Sequence, residues 1–234
     1  AVLMLVFKDT ILGLAAGVRL TSNDMLHKGD WITVKSVDAN GIVEDMSLTT
    51  VKVRNFDNTI VTISPATLVN GSFQNWIGMQ KSGGRRAKRI VYFDFRSIRL
   101  VDETLKQTLL AKHFATEDSF KLKESLQKAI EKDIQEGKNI EDLKNPAALA
   151  PTNLQLYRRF MEKYLRQRPE VNTELTLMVR HMEATQCGLP IEFYFFIKDK
   201  VWVNYEHILA DIMEHAYALA NEFDLKIYEQ YPEQ

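Results

Sequence analysis

With a single cysteine, Cys187, among 234 residues, the chain cannot build an internal disulfide framework, so its fold must rest on an apolar core. Such sparing cysteine use fits a reducing compartment. Charge of one sign is missing as well: 30 Lys and Arg stand against 31 Asp and Glu, a formal net charge of -1. No global field draws the chain to nucleic acid or to an acidic membrane, and binding of that kind would need a local patch. A full membrane span needs roughly 20 apolar residues in sequence. The run at residues 1–7 (AVLMLVF) is broken by Lys8 and Asp9 before ILGLAAGV resumes. A cleaved secretory signal would carry its basic residues before the apolar run, not within and after it. The sequence also has no G-x-x-x-x-G-K-[ST] phosphate loop and no H-E-x-x-H zinc spacing.

Apolar residues make up 45% and charged residues 26%, the balance of a folded globular chain of one large or two smaller domains. Residues 1–20 read as a helix in which Gly13 and Gly17 are four apart beside Ala16. Small residues at that spacing let helix backbones approach closely, as packed membrane helices do. A buried helix of a soluble domain would show the same apolar run, and the residues alone leave both readings open. The opening on Ala1 is read as a chain trimmed from a longer parent, with the end of a membrane helix attached. Residues 21–24 (TSND) end the helix with turn formers.

A β-rich block follows. Residues 30–37 (DWITVKSV) and 41–46 alternate weakly around Asp38-Ala39-Asn40-Gly41, where Asn-Gly predicts a hairpin turn. Residues 47–55 (SLTTVKVRN) are rich in β-branched side chains, Phe56-Asp57-Asn58 predicts a second turn, and 59–64 (TIVTIS) completes the set before Pro65. Short strands with tight turns over about 50 residues predict a small barrel or sandwich. Residues 81–89 (KSGGRRAKR) read as a basic Gly-Gly loop and domain boundary, either a solvated linker or a phosphate or headgroup contact. Beyond it the pattern is strand 90–100, helices 102–112 and 119–136, a proline loop at 145–151, and helix 152–167. Strands 175–184 and 191–197 come next, joined at Gly188-Leu189-Pro190, then a long helix 203–223 and a short strand 225–228. The fold class expected is α+β: a helix remnant, a small Sm-like β barrel or sandwich, then a two-layer, ferredoxin-like α+β domain.

No catalytic constellation emerges. His27 and His113 have no partner motif, and His181 lies in an expected strand. His207, Asp211 and His215 recur every four residues along the last helix, a stripe better read as a solvated face than as a metal site. Cys187 has no cationic neighbour in sequence to activate it. Carboxylate pairs such as Glu44-Asp45 and Glu117-Asp118 have the look of ordinary surface. Phe193-Tyr194-Phe195-Phe196 could stack bases, but four aromatics in a row populate both sheet faces, and burial beneath helices is the simpler use. The expectation is no enzyme, no metal and no cofactor.

One string of motifs is more specific. LAAGVRL (14–20), HKGDWI (27–32), GIVEDMSLTT (41–50), DNTIVTISPATLVNG (57–71) and QNW (74–76) follow one another in order. This string resembles the small-conductance mechanosensitive channel family, in its miniconductance-related branch. The resemblance implies residues 1–26 as the end of a pore-lining helix with the amphipathic helix after it. It implies 27–80 as the β domain and 81–234 as an α+β cytoplasmic domain, with extra helical material at about 113–167.

The same resemblance implies a homoheptameric channel in a bacterial inner membrane, with most of this chain on the cytoplasmic side. Its partners would be copies of itself, the lipid bilayer, and permeating ions and small solutes, with no nucleic acid. Leu5 falls at the apolar seal of the pore, Ala1 at a second seal that is bulkier in the family, and Phe7 near the kink. Asp9, preceded by Lys8, occupies the family's kink glycine, while Gly13 and Gly17 belong to the hinge region and Gly17 keeps the second flexible position. Ser64-Pro65-Ala66 shifts the family's proline by one. Two other readings are a nucleic-acid-binding β module and a membrane scaffold that does not conduct.

Overall fold

The computed structural model describes residues 8–121, 128, 132, 135 and 150–229. The chain forms two compact units, Ala1–Ser82 and Gly83–Gln234. Ala1, Leu5 and Phe7 lie outside the described residues, as does most of the helix expected at 119–136.

The smaller unit begins with helix α1 (Lys8–Ser22). An antiparallel sheet follows, made of β1 (Trp31–Val34), β2 (Ala39–Met46), β3 (Val51–Asn55), β4 (Ile60–Ile63) and β5 (Gln74–Asn75) in the order β4-β3-β2-β1-β5. β4 and β5 are its edges, so the sheet is open. Alternation decides its faces: Ile32, Val34, Ala39, Val43, Val51, Val53 and Ile63 point inward, and Leu20, Leu26 and Leu68 close the core over them. The β2–β3 register slips between Val43 and Asp45, a bulge at Glu44. Helix α2 (Pro65–Asn70) places Pro65 in its first turn, where the missing N–H has no intrahelical partner to lose. Ser64 caps α2 by accepting from the Thr67 N–H at 3.2 Å. Helix α3 (Ile77–Lys81) ends the unit.

The first hairpin turn lies elsewhere than Asn-Gly predicts. Residues Lys35–Val37 form a 3-10 turn that closes at Asp38, which has φ of 52°. Pairing of Thr33 with Asn40 and Ile32 with Gly41 draws the dipeptide into β2. There the Asn40 Oδ1 accepts from the Trp31 Nε1 (3.0 Å) and the Thr33 Oγ1 (2.9 Å), a cross-strand role that outcompetes a turn. The second predicted turn stands: Asn58 has φ of 68°, and the Asp57 carboxylate accepts from the Thr59 N–H at 2.9 Å.

The larger unit packs helices on one face of a second antiparallel sheet: β6 (Arg85–Phe93), β8 (Leu189–Ile197) and β7 (Met178–His181), in that order. Helices α4 (Glu103–Ala111), α6 (Asn153–Gln167) and α7 (Trp202–Ala220) contribute Leu109, Tyr157, Met161, Leu165 and Ile212 to its core; the short α5 is Glu117–Phe120. Thr152 caps α6, accepting from the Gln155 N–H at 3.1 Å. The Asn153 side chain, fully buried, ties three segments together: Nδ2 donates to the Ser97 and Phe223 carbonyls (2.8 and 3.0 Å), while Oδ1 accepts from the Arg99 N–H (3.1 Å).

Several expected bounds move. The strand at 90–100 ends at Phe93, where Asp94 caps a 3-10 turn, Phe95–Ser97. β7 is only four residues long, and the turn before β8 closes at Thr185 and Gly188, the latter with φ of 89°. Residues 225–228 contribute a bridge between Ile227 and Phe93. The main correction concerns 81–89. Four of its basic residues, Arg85, Arg86, Lys88 and Arg89, belong to β6 rather than to a loop, because Ala87, Val91 and Phe93 supply the inward alternation that the sheet needs.

Candidate functional site

The sequence-expected hinge residues meet the structure in α1. The helix runs unbroken through Gly13 and Gly17. Ala16, Gly17 and Leu20 form its buried stripe, with Gly13 half-buried above them. Ile11, Leu12, Leu14 and Val18 on the remaining faces are about half exposed, so the helix is apolar nearly all round. α1 packs against α2 and against the β2–β3 turn. Of Lys8 and Asp9 only the helical backbone is described.

The β2–β3 turn is built by the Ser-Leu-Thr-Thr of the motif string. Ser47 Oγ accepts from the Thr49 and Thr50 N–H groups at 3.3 and 3.0 Å, and the Ser47 N–H donates to the Thr50 carbonyl at 2.8 Å. The closed turn presents the Leu48 backbone to Gly17. A methyl group on Gly17 would lie 2.9 Å from the Leu48 Cα and would overlap its carbonyl oxygen. Glycine is thus required there for close approach rather than for an unusual φ. Gly13 differs, since a methyl group at that position meets nothing within 4 Å.

The end of α1 is fixed with equal care. Asp24 stands in the left-handed region (φ 57°), the Met25 N–H donates to the Leu20 carbonyl at 3.1 Å, and the Asp24 N–H donates to the Thr21 carbonyl at 3.4 Å. That pair of bonds is the Schellman arrangement, which satisfies carbonyls otherwise orphaned at a helix terminus. Immediately beyond, the buried Asp30 accepts from the His27 N–H (3.1 Å) and from the Asn75 Nδ2 (2.8 Å). Asn75 also donates to the Met25 carbonyl (3.3 Å), and its Oδ1 accepts from the Ile77 N–H (2.9 Å). His27 Nε2 lies 2.9 Å from the Asp24 carboxylate. One carboxylate and one amide thus lock the helix exit, the start of β1 and the end of β5 together. On the outer sheet face Trp31 stacks on Trp76 (4.8 Å) and meets the edge of Phe56 (5.2 Å).

The basic segment, expected as a solvated linker or a phosphate or headgroup contact, is engaged within its own unit. Lys88 pairs with Glu192 (3.3 Å) and Arg89 with Glu206 (3.8 Å), while the Arg85 guanidinium lies 4.3 Å over the Tyr205 ring. Glu192 is fully buried, and the hydrogen bond from Arg180 (2.5 Å), helped by Lys88, holds its carboxyl below the usual glutamate range against the opposing effect of burial. Of the four aromatics in β8, Phe193 and Phe195 are buried in the core, and Tyr194 and Phe196 lie half-buried on the opposite face. His207, Asp211 and His215 are exposed, with the His215 Nδ1 at 2.8 Å from the Asp211 backbone carbonyl. Among the described residues no group of three His, Cys, Asp or Glu side chains could hold a metal, and no helix is long and apolar enough to cross a membrane.

Asp30, Ser47, Leu48 and Asn75 all lie in the motif string, but nothing local to the last three in the sequence marks their roles. A lone acid directly before an apolar strand, in His-Lys-Gly-Asp-Trp, was the available signal for Asp30.

Comparison of sequences locates the likeness in the unit that carries this site. A family described as "Mechanosensitive ion channel, beta-domain" matches residues 9–78. The small-conductance mechanosensitive channel MscMJ of Methanocaldococcus jannaschii is 33% identical over 73 residues, which are 31% of this chain and 20% of that protein. Among solved structures, Arabidopsis thaliana MSL1 superposes with a TM-score of 0.62 at 10% identity, over 97% of this chain and 61% of that one. Helicobacter pylori MscS in its closed state superposes with a TM-score of 0.58 at 12% identity, over 100% of this chain and 68% of that one. At such identities the structures speak for the fold, and the α+β architecture of both units agrees with theirs. The chain therefore spans less than two thirds of MSL1, and the matched region is a fifth of the archaeal channel.

Proposed function

We propose that this chain, a member of the MscS-like family of mechanosensitive channels, is part of a non-enzymatic channel subunit that bilayer tension opens to release ions and small solutes during hypo-osmotic shock. The observation that carries the reading is the mounting of α1. An apolar helix with Ile11, Leu14 and Val18 exposed is locked to a β unit of the channel type through Gly17, Leu48 and the Asp30–Asn75 bond. Exposed apolar side chains of that extent call for lipid or for neighbouring copies of the chain. A rigid mount passes a displacement of the helix to the sheet rather than dissipating it in a loose linker.

In this reading seven copies surround the pore within a bacterial inner membrane, and most of each chain lies on the cytoplasmic side. Leu5 supplies an apolar ring that excludes water and so blocks ions without a plug. Ala1 supplies a weaker second ring, and Phe7 packs near the bend at Lys8 and Asp9. The wider open state occupies more membrane area, so tension acts as a ligand with higher affinity for that state. Gly13 and Gly17 lie in the hinge region, with Gly17 held by the β2–β3 turn.

The test is a pressure-ramp patch recording of the whole protein in a membrane without other channels. Currents that appear only under suction support the reading. Silence from confirmed oligomers in the membrane defeats it and leaves a scaffold that does not conduct.

A further inference from the structure

A cavity of about 380 Å³ in the larger unit lies apart from every residue assigned above. Its size falls within the roughly 300–1,000 Å³ of small-molecule sites. One wall is the turn after α4, with His113, Phe114, Thr116 and Ser119; the other is a face of α6, with Arg159, Phe160, Lys163 and Tyr164.

The helix wall has an unbalanced charge. Arg159 and Lys163 are four apart, a like-charge pair that disfavours an isolated helix by a few tenths of a kcal/mol. Other cations of α6 are engaged: Arg166 pairs with Glu162 (3.0 Å), and Arg158 donates to the Val179 carbonyl (3.2 Å). Arg159 makes one long bond, 3.5 Å, to the Ser119 carbonyl. Among the described residues, the acids near the opposite wall are committed elsewhere, Glu117 to Lys106 (3.9 Å) and Asp118 to Lys121 (2.6 Å). Among the described residues, no acidic side chain lines the cavity. His113 ends α4 in the left-handed region (φ 60°), where glycine would be the unstrained choice and would remove the imidazole from the wall.

The rest of the lining suits the other half of a ligand. Phe114 meets the edge of Phe160 at 5.2 Å, and Tyr164 stacks on His215 at 5.7 Å, so three aromatic rings are held by neighbours rather than free to collapse. The hydroxyls of Thr116 and Ser119 lie 3.2 Å apart, so one donates to the other and the remaining proton can turn toward an anion.

We propose that this cavity binds a small phosphate monoester that carries a flat ring, of the nucleoside monophosphate kind. The phosphate lies between Arg159, Lys163 and His113, where a guanidinium and an ammonium give charge-assisted hydrogen bonds. The ring lies against Phe114, Phe160 and Tyr164. Occupancy of the site can be read without channel activity, so its test is independent of the proposed function.

Calorimetric titration of the full chain compares adenosine monophosphate, inorganic phosphate and adenosine. The expected result is saturable binding of the monophosphate, weaker binding of phosphate, and little binding of adenosine. Lys163→Ala and Arg159→Gln should each weaken the monophosphate by about tenfold or more, since each removes a hydrogen bond to a charged group. Lys163→Arg should retain binding, and thermal unfolding of all three variants should match the parent chain. No heat with either phosphate species at millimolar concentration overturns the site, as does unchanged binding in both charge-removing variants. Inorganic phosphate binding as tightly as the monophosphate overturns the assignment of a ring-bearing ligand.

Discussion

The backbone of Gly17 rests directly on the backbone of Leu48, with no room between helix and turn for even a methyl group. Gly13, one turn earlier on the same helix, has open space where its side chain would be. The two glycines therefore predict opposite outcomes. Gly13→Ala should stabilise the smaller unit by about 0.5–1 kcal/mol, because alanine loses less backbone entropy in a helix. Gly17→Ala gains the same propensity but must push the β2–β3 turn away, and overpacking of this kind costs about 1–3 kcal/mol. Denaturant unfolding of the two variants should move the midpoint in opposite directions. In recordings, Gly17→Ala should shift the opening pressure while Gly13→Ala changes it less.

The Asp30–Asn75 bond is the second element of the mount. Asn75→Ala removes donors to the Asp30 carboxylate and the Met25 carbonyl and leaves the buried acid short of a partner. The expected loss is about 1–3 kcal/mol. Asn75→Asp places a second carboxylate within hydrogen-bond range of the first and should be worse than alanine at neutral pH. The order is checked by urea midpoints, with hydrogen exchange at Met25 as a local reading.

How much of this could be seen in the residues depends on the distance over which each feature is decided. Local patterns were legible: the β-branched run that becomes β3 and the Asp57-Asn58 turn both depend on near neighbours. The Asn40-Gly41 expectation failed because Asn40 is claimed by Trp31 and Thr33 across the strand, which no local rule registers. The basic run at 85–89 hides a strand because its partners Glu192, Tyr205 and Glu206 lie more than a hundred residues away. The mount was half legible: small-residue spacing flagged Gly17, but only the folded chain brings Leu48 to it and Asn75 to Asp30.

Glu192 gives the larger unit a pH signature. Its folded pKa lies below the ordinary glutamate value of 4.5, chiefly through the Arg180 hydrogen bond. The associated stability is fully present above that ordinary value and is lost as pH falls through the lower folded value. Glu192→Gln should therefore flatten the acid limb of the stability profile below that ordinary value. Arg180→Ala leaves Lys88 as the sole partner of a buried carboxylate and should cost about 1–3 kcal/mol at pH 7, with less loss at acid pH. Thermal unfolding across a pH series separates the two variants.

Asn153 holds the larger unit at a point where no ion pair could substitute. Its amide serves the Ser97 and Phe223 carbonyls and the Arg99 and Leu154 N–H groups, all buried or nearly so. Asn153→Ala strands several of these at once and should cost about 3 kcal/mol or more, at the upper end for unsatisfied buried groups. Asn153→Asp keeps the acceptor but turns a buried carboxylate oxygen toward the two carbonyls, so it should rescue none of the loss at neutral pH. If alanine unfolds at the same denaturant concentration as the parent chain, the amide is not the tie that its geometry implies.

Leu5 carries the prediction that bears most directly on the channel. If an apolar ring at this position keeps the closed pore dry, a hydroxyl there favours wetting, and a wetted pore needs less help from tension to conduct. Leu5→Ser in the whole protein should open at lower suction, and Leu5→Val should stay near the parent threshold because the ring remains apolar. The comparison requires both variants to reach the membrane in equal amount, which surface labelling settles before recording. A serine variant with an unchanged threshold would remove Leu5 from the seal and move the search for the gate to Ala1.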